Sequence, residues 1–270
     1  MNTLNRREFL KTTLAASTTA ALAGAPAQAL GAGAPAPGRD YYELRAYRLK
    51  AGAPHALLDA YLERALIPAL NGRGIGSVGV FTEPDPKDGP AVWVLIPHPS
   101  LESVADVTAA LNVDPAVQRA GAEYLRSPTK AEPAFDRVDS WLLLAFAGLP
   151  RLAVPALARD KKPRIFEMRT YESFSELKAL KKVEMFNAGE IGAMQEVHLS
   201  PVFYGQVLVG RDMPELTYML CSPDLETHKR SWAAFGAHPV WVKLKNDPQY
   251  ADTVSRITSR FLVPAAFSQI

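Results

Sequence analysis

From Tyr41 to Leu49 the chain alternates with period two. Tyr42, Leu44 and Ala46 share one side and Glu43, Arg45 and Tyr47 the other, which predicts a strand. Between Ala53 and Leu70 the spacing becomes helical. Leu57, Leu58, Tyr61, Leu62, Ala65, Leu66 and Ala69 form a broad apolar stripe, suited to covering a sheet. Asn71-Gly72-Arg73-Gly74 breaks that helix. Two short strands, Ile75–Phe81 and Ala91–Ile96, then flank the turn-rich segment Glu83–Pro90 as a hairpin. Helical patterns follow at Leu101–Ala110 and Pro115–Arg126, then a strand at Arg137–Phe146.

The order strand, helix, strand, strand, helix, strand then recurs. A strand at Arg164–Tyr171 leads into a helix over Ser175–Glu190, with Ser173 near its start and Gly189 and Gly192 weakening its end. Val202–Gly210 and Glu215–Cys221 predict a second hairpin; Asp224–Phe235 and Pro239–Lys245 read as helices, and Ser255–Val263 as the last strand. The segments also match in register. Tyr42-Glu43-Leu44-Arg45-Ala46-Tyr47 returns 124 residues later as Phe166-Glu167-Met168-Arg169-Thr170-Tyr171, and the same offset relates Asp114-Pro115 to His238-Pro239. Each proline fits a first helical turn, where its missing N–H costs nothing. The expected fold class is therefore α+β, with two tandem ferredoxin-like modules, 41–147 and 164–263, packed sheet against sheet as a dimeric α+β barrel-like pseudodimer. Residues 148–163, with three prolines, read as the linker, 30–40 as a flexible lead-in and 264–270 as a tail.

Residues 1–29 read as an address. Asn5-Arg6-Arg7-Glu8-Phe9-Leu10-Lys11 precedes a weakly apolar stretch and an Ala27-Gln28-Ala29 cleavage pattern, similar to a twin-arginine export signal. This predicts engagement with the export machinery and a periplasmic or secreted location. The stretch is too short and too rich in Ala, Ser and Thr to anchor in a membrane stably. The full chain has a formal charge of +2; without residues 1–29 it carries 27 basic and 27 acidic residues. That balance offers no basic excess for nucleic acid. Cys221 is the only cysteine, so no internal disulfide forms, and its apolar surroundings in sequence predict a buried, packed thiol.

The opening motif, its second copy at Phe166–Tyr171, and Arg230-Ser231-Trp232-Ala233-Ala234-Phe235-Gly236-Ala237-His238-Pro239-Val240-Trp241 resemble the NIPSNAP family. The resemblance implies dimeric α+β-barrel architecture over most of 41–263, in two copies. It transfers fold more firmly than activity, since related barrels include small monooxygenases, stress proteins and haem-modifying enzymes. The first copy departs from the pattern: Thr108, Leu111, Asp114 and Val117 stand where the second has Trp232, Phe235, His238 and Trp241.

The aromatic mass of the second half marks a candidate apolar pocket: Trp232, Phe235 and Trp241, with Tyr204, Tyr218 and Met219 approaching from the hairpin and His238 beside them as a polar or acid–base group. Simple core packing explains the same aromatics. Glu43 with Arg45, and Glu167 with Arg169, sit two apart on their strands and form candidate polar clusters; structural ion pairing is the plain reading. His198, His228 and His238 lack metal-ligand spacing, so neither a metal nor a cofactor is assigned. Gly72-Arg73-Gly74-Ile75-Gly76 follows a helix, the wrong context for a nucleotide loop. The expected function is binding of a small organic or apolar ligand, with activity unassigned. Two alternatives stand: a cofactor-independent monooxygenase or isomerase, and a non-catalytic interaction scaffold. A homo-oligomer is compatible with either.

Overall fold

The computed structural model describes residues 38–50, 52 and 54–270. Eight strands form one sheet: β1 (Tyr41–Arg48), β2 (Gly79–Thr82), β3 (Ala91–His98), β4 (Arg137–Ala145), β5 (Ile165–Glu172), β6 (Ser200–Val209), β7 (Glu215–Ser222) and β8 (Arg256–Pro264). They close in the order β1-β3-β2-β8-β5-β7-β6-β4, every neighbouring pair antiparallel. The seams between the two chain halves are β2/β8, pairing Phe81 with Pro264 and Thr82 with Val263, and β4/β6, pairing Ala145 with Gly205 and Leu143 with Val207.

This corrects the expected fold class. The halves do not form two tandem ferredoxin-like modules stacked face to face as a pseudodimer; they share a single closed eight-stranded antiparallel barrel, and the described residues lie in one compact unit. The physical reason lies in the strand edges. A sheet stacked on another keeps four edges whose backbone N–H and C=O groups lack partners, whereas edge-to-edge joining removes them all. One sheet then encloses one interior instead of a slab between two sheets. The reading of two separate tandem modules fails with it, because the four strands of each half, β4-β1-β3-β2 and β8-β5-β7-β6, leave two open edges that only the other half pairs.

Alternation sets what each face does. Tyr42, Leu44 and Ala46 of β1 point into the barrel with Phe166 and Met168 of β5, Met219 and Cys221 of β7 and Leu262 of β8. Tyr47 of β1 lies outside, under helices of the first half. Tyr171 of β5 and Leu216, Tyr218 and Leu220 of β7 lie outside under helices of the second. Those helices are the predicted ones with local differences, among them a break at Gly121 that splits Pro115–Arg126 into Pro115–Ala120 and Ala122–Arg126. The long helix of the first half passes through a wider π turn at Leu62–Leu66. The helix beginning at Glu176 is capped by Ser175, which accepts from the Lys178 N–H at 3.3 Å, rather than by Ser173. Helical turns resume to Glu196 across a kink in Phe186–Glu190, so Gly189 interrupts the helix as expected, while Gly192 lies inside the continuation. Gly189 there has φ 146°, and a Cβ would meet Val240 Cγ1 at 2.9 Å; the kink needs glycine.

The two ends of the barrel are filled differently. Tyr42, Phe81, Phe166, Phe203 and Ile270 plug one end, all fully buried, with Phe81 and Phe166 meeting edge on at 5.0 Å. Each such ring removed from water contributes about 2–3 kcal/mol. Residues 265–270, expected as a tail, lie along β2 instead: the Ala265 and Gln269 N–H groups donate to the Val80 and Val78 carbonyls. Toward the other end the inward positions become Thr170, Thr217, Thr258, Arg260 and Glu215. These are too small or too polar to close it, and a cavity remains.

The reading of residues 1–29 as an export signal falls outside the described residues, and neither the fold nor any comparison below supports it. Among the described residues no helix is long and apolar enough to cross a membrane.

Candidate functional site

The aromatic group predicted from sequence does not gather round one space. Tyr204, Tyr218 and Phe235 pack with half-buried Trp232 and Trp241 in the layer between the barrel wall and the helices of the second half. Trp232 meets Phe235 edge on at 5.5 Å, and Phe235 lies 4.8 Å from Trp241. Met219, on the opposite face of β7 from Tyr218, belongs to the barrel interior. His238 is the N-cap of helix Pro239–Lys245: its ring nitrogen accepts from the Val240 N–H at 3.3 Å while Nε2 sits 3.0 Å from Glu196. Asp114 caps helix Pro115–Ala120 in the matching place, so the two positions share a capping role.

The polar clusters lie in the same outer layers. Arg45 donates to both oxygens of Glu43, at 2.6 and 2.8 Å. In the second half, Glu167 is 3 % exposed and accepts from Ser259 Oγ at 2.5 Å, Arg169 at 2.7 Å and Trp232 Nε1 at 2.7 Å, with His228 Nε2 at 2.8 Å. His228 is fixed in turn by Ser222 at 2.9 Å, and Arg169 lies over the Trp232 ring at 4.7 Å. Burial alone raises the Glu167 carboxyl, but the His228 hydrogen bond, the charge of Arg169 and the Ser259 contact outweigh it and hold the group near 2. The Glu167 carboxylate is thus fully engaged, with Arg169 Nε the one atom of the network left buried without a partner among the described residues, and a carboxylate held from all sides positions structure.

The open end of the barrel differs. A cavity of about 1180 Å³ occupies it, with Leu44, Trp93, Trp141, Met168, Thr170 and Thr217 among its lining. The size suits a small organic molecule. Trp93 and Trp141 stack at 5.8 Å. Trp93 is held from behind: its Nε1 donates to Glu83 at 2.9 Å, and Arg260, ion-paired with Glu83 at 3.3 Å and hydrogen-bonded to Asp88, lies 5.5 Å from its ring. Asp139 likewise ties the rim together, accepting from Arg48 at 2.8 Å and from Arg211 of the β6–β7 turn at 3.2 Å. Each of these rim arginines thus has a carboxylate partner, with Arg48, Arg137 and Arg211 sharing Asp139.

Glu215 does not follow this rule. It opens β7, faces the cavity beside Thr217, and is 4 % exposed, yet its Oε1 has no hydrogen-bond partner among the described residues. Burial, then the negative charges of Asp212 and Glu172, push its carboxyl up to about 7, with the Trp141 indole opposing. The wall is shaped around it. A Cβ at Gly210 would meet Trp141 Cδ1 at 2.6 Å and Glu215 Oε1 at 2.8 Å, so only glycine lets ring and carboxyl approach the turn. A buried acid that titrates near neutrality in a cleft is the arrangement expected of a binding or proton-transfer group.

Residues 166–269 match the NIPSNAP family. The match covers one stretch, not the two copies expected from sequence, and it spans β5 to β8 with their helices and the wall that carries Glu215. The barrel as a whole is similar to two solved structures. One is a presumed monooxygenase from Lactobacillus acidophilus, 6 % identical, with 84 % of this chain and 94 % of that one covered and a TM-score of 0.55. The other is a presumed monooxygenase from Fusobacterium nucleatum, 8 % identical, with 84 % and 92 % covered and a TM-score of 0.53. An uncharacterized NIPSNAP-like domain protein from Burkholderia xenovorans is 23 % identical over 39 % of this chain and 88 % of its own, with a TM-score of 0.35. At such identities the likeness to the first two structures establishes the fold alone. No curated protein matches the chain.

Sequence reasoning missed Trp93, Trp141, Gly210, Glu215 and Arg260. One signal was present: in Glu215-Leu216-Thr217-Tyr218-Met219-Leu220-Cys221 a glutamate shares its face with Met219 and Cys221. An acid on the apolar side of a strand marks a position that structure must explain. Cys221 itself is 1 % exposed in the barrel core, and burial pushes its thiol up to about 12, leaving it a packed hydrophobe. Among the described residues no group of three or more metal-ligating side chains converges.

Proposed function

We propose that this protein binds a small organic molecule in the open end of its barrel, with the apolar part of the ligand against Trp141, Met168 and Leu44 and a polar group at Glu215. The observation that carries this reading is Glu215 itself, a buried carboxyl with an unpartnered oxygen on the wall of a roomy cavity. Leaving such an acceptor unpaired costs about 1–3 kcal/mol, a cost that a ligand donor offsets. The candidate pocket drawn from sequence is densely packed by comparison, and of its residues only Met219 reaches the interior.

A second reading is favoured by the same carboxyl. A group that titrates near 7 accepts and returns a proton efficiently at neutral pH, so a cofactor-independent isomerase that moves a proton through Glu215 is the enzymatic form of this proposal. Binding is tested by titrating small planar aromatics against tryptophan fluorescence, since Trp93 and Trp141 border the cavity. Saturable, single-site quenching that disappears in Thr258→Phe, where an added ring occupies the lumen of a folded barrel, is the expected result. Unchanged quenching in that variant moves the site elsewhere. Exchange of a ligand C–H with deuterated solvent, dependent on Glu215, would distinguish turnover from binding.

A further inference from the structure

We infer that the ligand of the barrel mouth is an organic cation, an amine whose apolar body rests on the tryptophan wall and whose charged nitrogen pairs with Glu215. The inference rests on the pocket reading above and names its ligand class. Four observations lead to it.

The charges facing Glu215 come from several elements and share one sign. Asp212 of the β6–β7 turn and Glu172, the β5 residue paired with Glu215 across the ladder, are the charged groups acting on it. From β4 comes Trp141, uncharged, and from β7 itself Thr217. Nearby arginines are engaged elsewhere: Arg211 with Asp139 at 3.2 Å, and Arg256 of β8 with Glu172 at 3.7 Å. The corner therefore has a surplus of carboxylate and no free counter-charge directed at Glu215.

The rim arginines each have a carboxylate partner away from Glu215. Arg48, Arg137 and Arg211 share Asp139, and Arg260 is held by Glu83 and Asp88; an anionic ligand seated at Glu215 meets the acidic corner at a like-charge cost. A neutral ligand that donates one hydrogen bond satisfies the Glu215 oxygen but leaves the repulsion among the three acids. A cation answers both, and the indole of Trp141 attracts the same charge, whereas Trp93 already has the Arg48 and Arg260 guanidinium groups over its ring.

Proton linkage follows from the geometry. An amine needs Glu215 ionised, so binding drives a proton off the carboxyl when the solution lies below its titration point near 7. Affinity then rises with pH until the amine itself loses charge. With one group ionised to roughly a tenth at pH 6 and nine-tenths at pH 8, the amine binds about tenfold tighter at the higher pH.

The test uses the full chain and three probes with the same ring system, 2-naphthylmethylamine, 2-naphthylmethanol and 2-naphthoate, by isothermal titration calorimetry at pH 6, 7 and 8 in two buffers of different ionisation heat. The expected result is that the amine binds at least about tenfold tighter than the alcohol at pH 8, a difference of about 1.4 kcal/mol. It releases protons at pH 6, and loses both properties in Glu215→Gln, while the alcohol still binds that variant. Asp212→Asn provides a second, exposed change and is expected to weaken the amine alone. Equal affinity for amine and alcohol, or preference for the naphthoate, overturns the cation while leaving the pocket in place. Failure of all three probes to bind overturns the pocket and the cation together.

Discussion

Glu167 and Glu215 are both buried glutamates on neighbouring strands of one barrel, and they meet opposite fates. Glu167 lies on the outer face under the helices, where Ser259, Arg169, Trp232 and His228 surround its oxygens and hold it near 2. Glu215 lies on the inner face at the barrel mouth, with one oxygen unpartnered and two acids nearby, and titrates near 7. Burial is common to both, so it does not decide the charge state. The partners do. The outer face has helices that bring a histidine and a tryptophan down onto the sheet; the mouth has only loops and space. The difference separates a carboxylate built into the fold from one left for a ligand.

Breaking the comparison at Glu167 gives the largest effect. Glu167→Gln leaves Arg169 and His228 without their anion, and the protein is expected to lose roughly 3 kcal/mol at neutral pH, read from urea midpoints. The folded-state pKa of Glu167 is depressed from 4.5, so its contribution is present above about 4.5 and fades as pH falls toward 2. The wild type and variant should therefore converge in acid. A gap that persists undiminished at pH 2.5 would falsify the assignment of the effect to charge.

Glu215→Gln has the opposite sign. Its folded-state pKa is raised from 4.5 to about 7, so the folded protein holds the extra proton across that window and stability falls as pH rises through it. The amide removes that cost, and the variant is expected to gain about 2 kcal/mol at pH 8 and nothing near pH 4. Equal midpoints at both pH values would show that Glu215 is not strained by its site. Gly210→Ala is expected to be smaller and destabilising, by about 1–2 kcal/mol, because its methyl group displaces Trp141 and the Glu215 carboxyl. It should also shift tryptophan emission; an unshifted spectrum would place Trp141 elsewhere. The smallest effect is that of Thr170→Val, which removes a 2.8 Å contact with the Thr217 hydroxyl in the lumen and should cost about 1 kcal/mol while leaving Glu167 untouched.

Much of the secondary structure was legible because the period of apolar residues reports which way side chains point. The strand at Tyr41–Leu49 and the acid–arginine pairs on its outer face follow from alternation alone. The same rule separates Tyr218 from Met219: consecutive strand residues face opposite sides, so the two never line one pocket, and the sequence-level grouping of them ignored its own geometry. The distinctive run Arg230–Trp241 led to the aromatic layer, where Trp232, Phe235 and Trp241 meet, but aromatic mass marks packing as readily as a cavity. The mouth residues gave little local warning. Trp93, Trp141, Glu215 and Arg260 come from four strands far apart in the chain, and all but Glu215, an acid on the apolar face of β7, read singly as ordinary strand residues.

By itself the sequence determined the order of the strands, the two faces of the strand that opens each half, and the shared motif those strands carry. It did so because those properties are local and periodic. Only the tertiary structure decided that the strand edges join into one closed barrel instead of two stacked sheets, and that one end is plugged by rings while the other is open. It also decided that Glu215 stands there without a partner. Each of these depends on which distant groups come within a few ångströms of one another, and in this chain no local period encodes that distance.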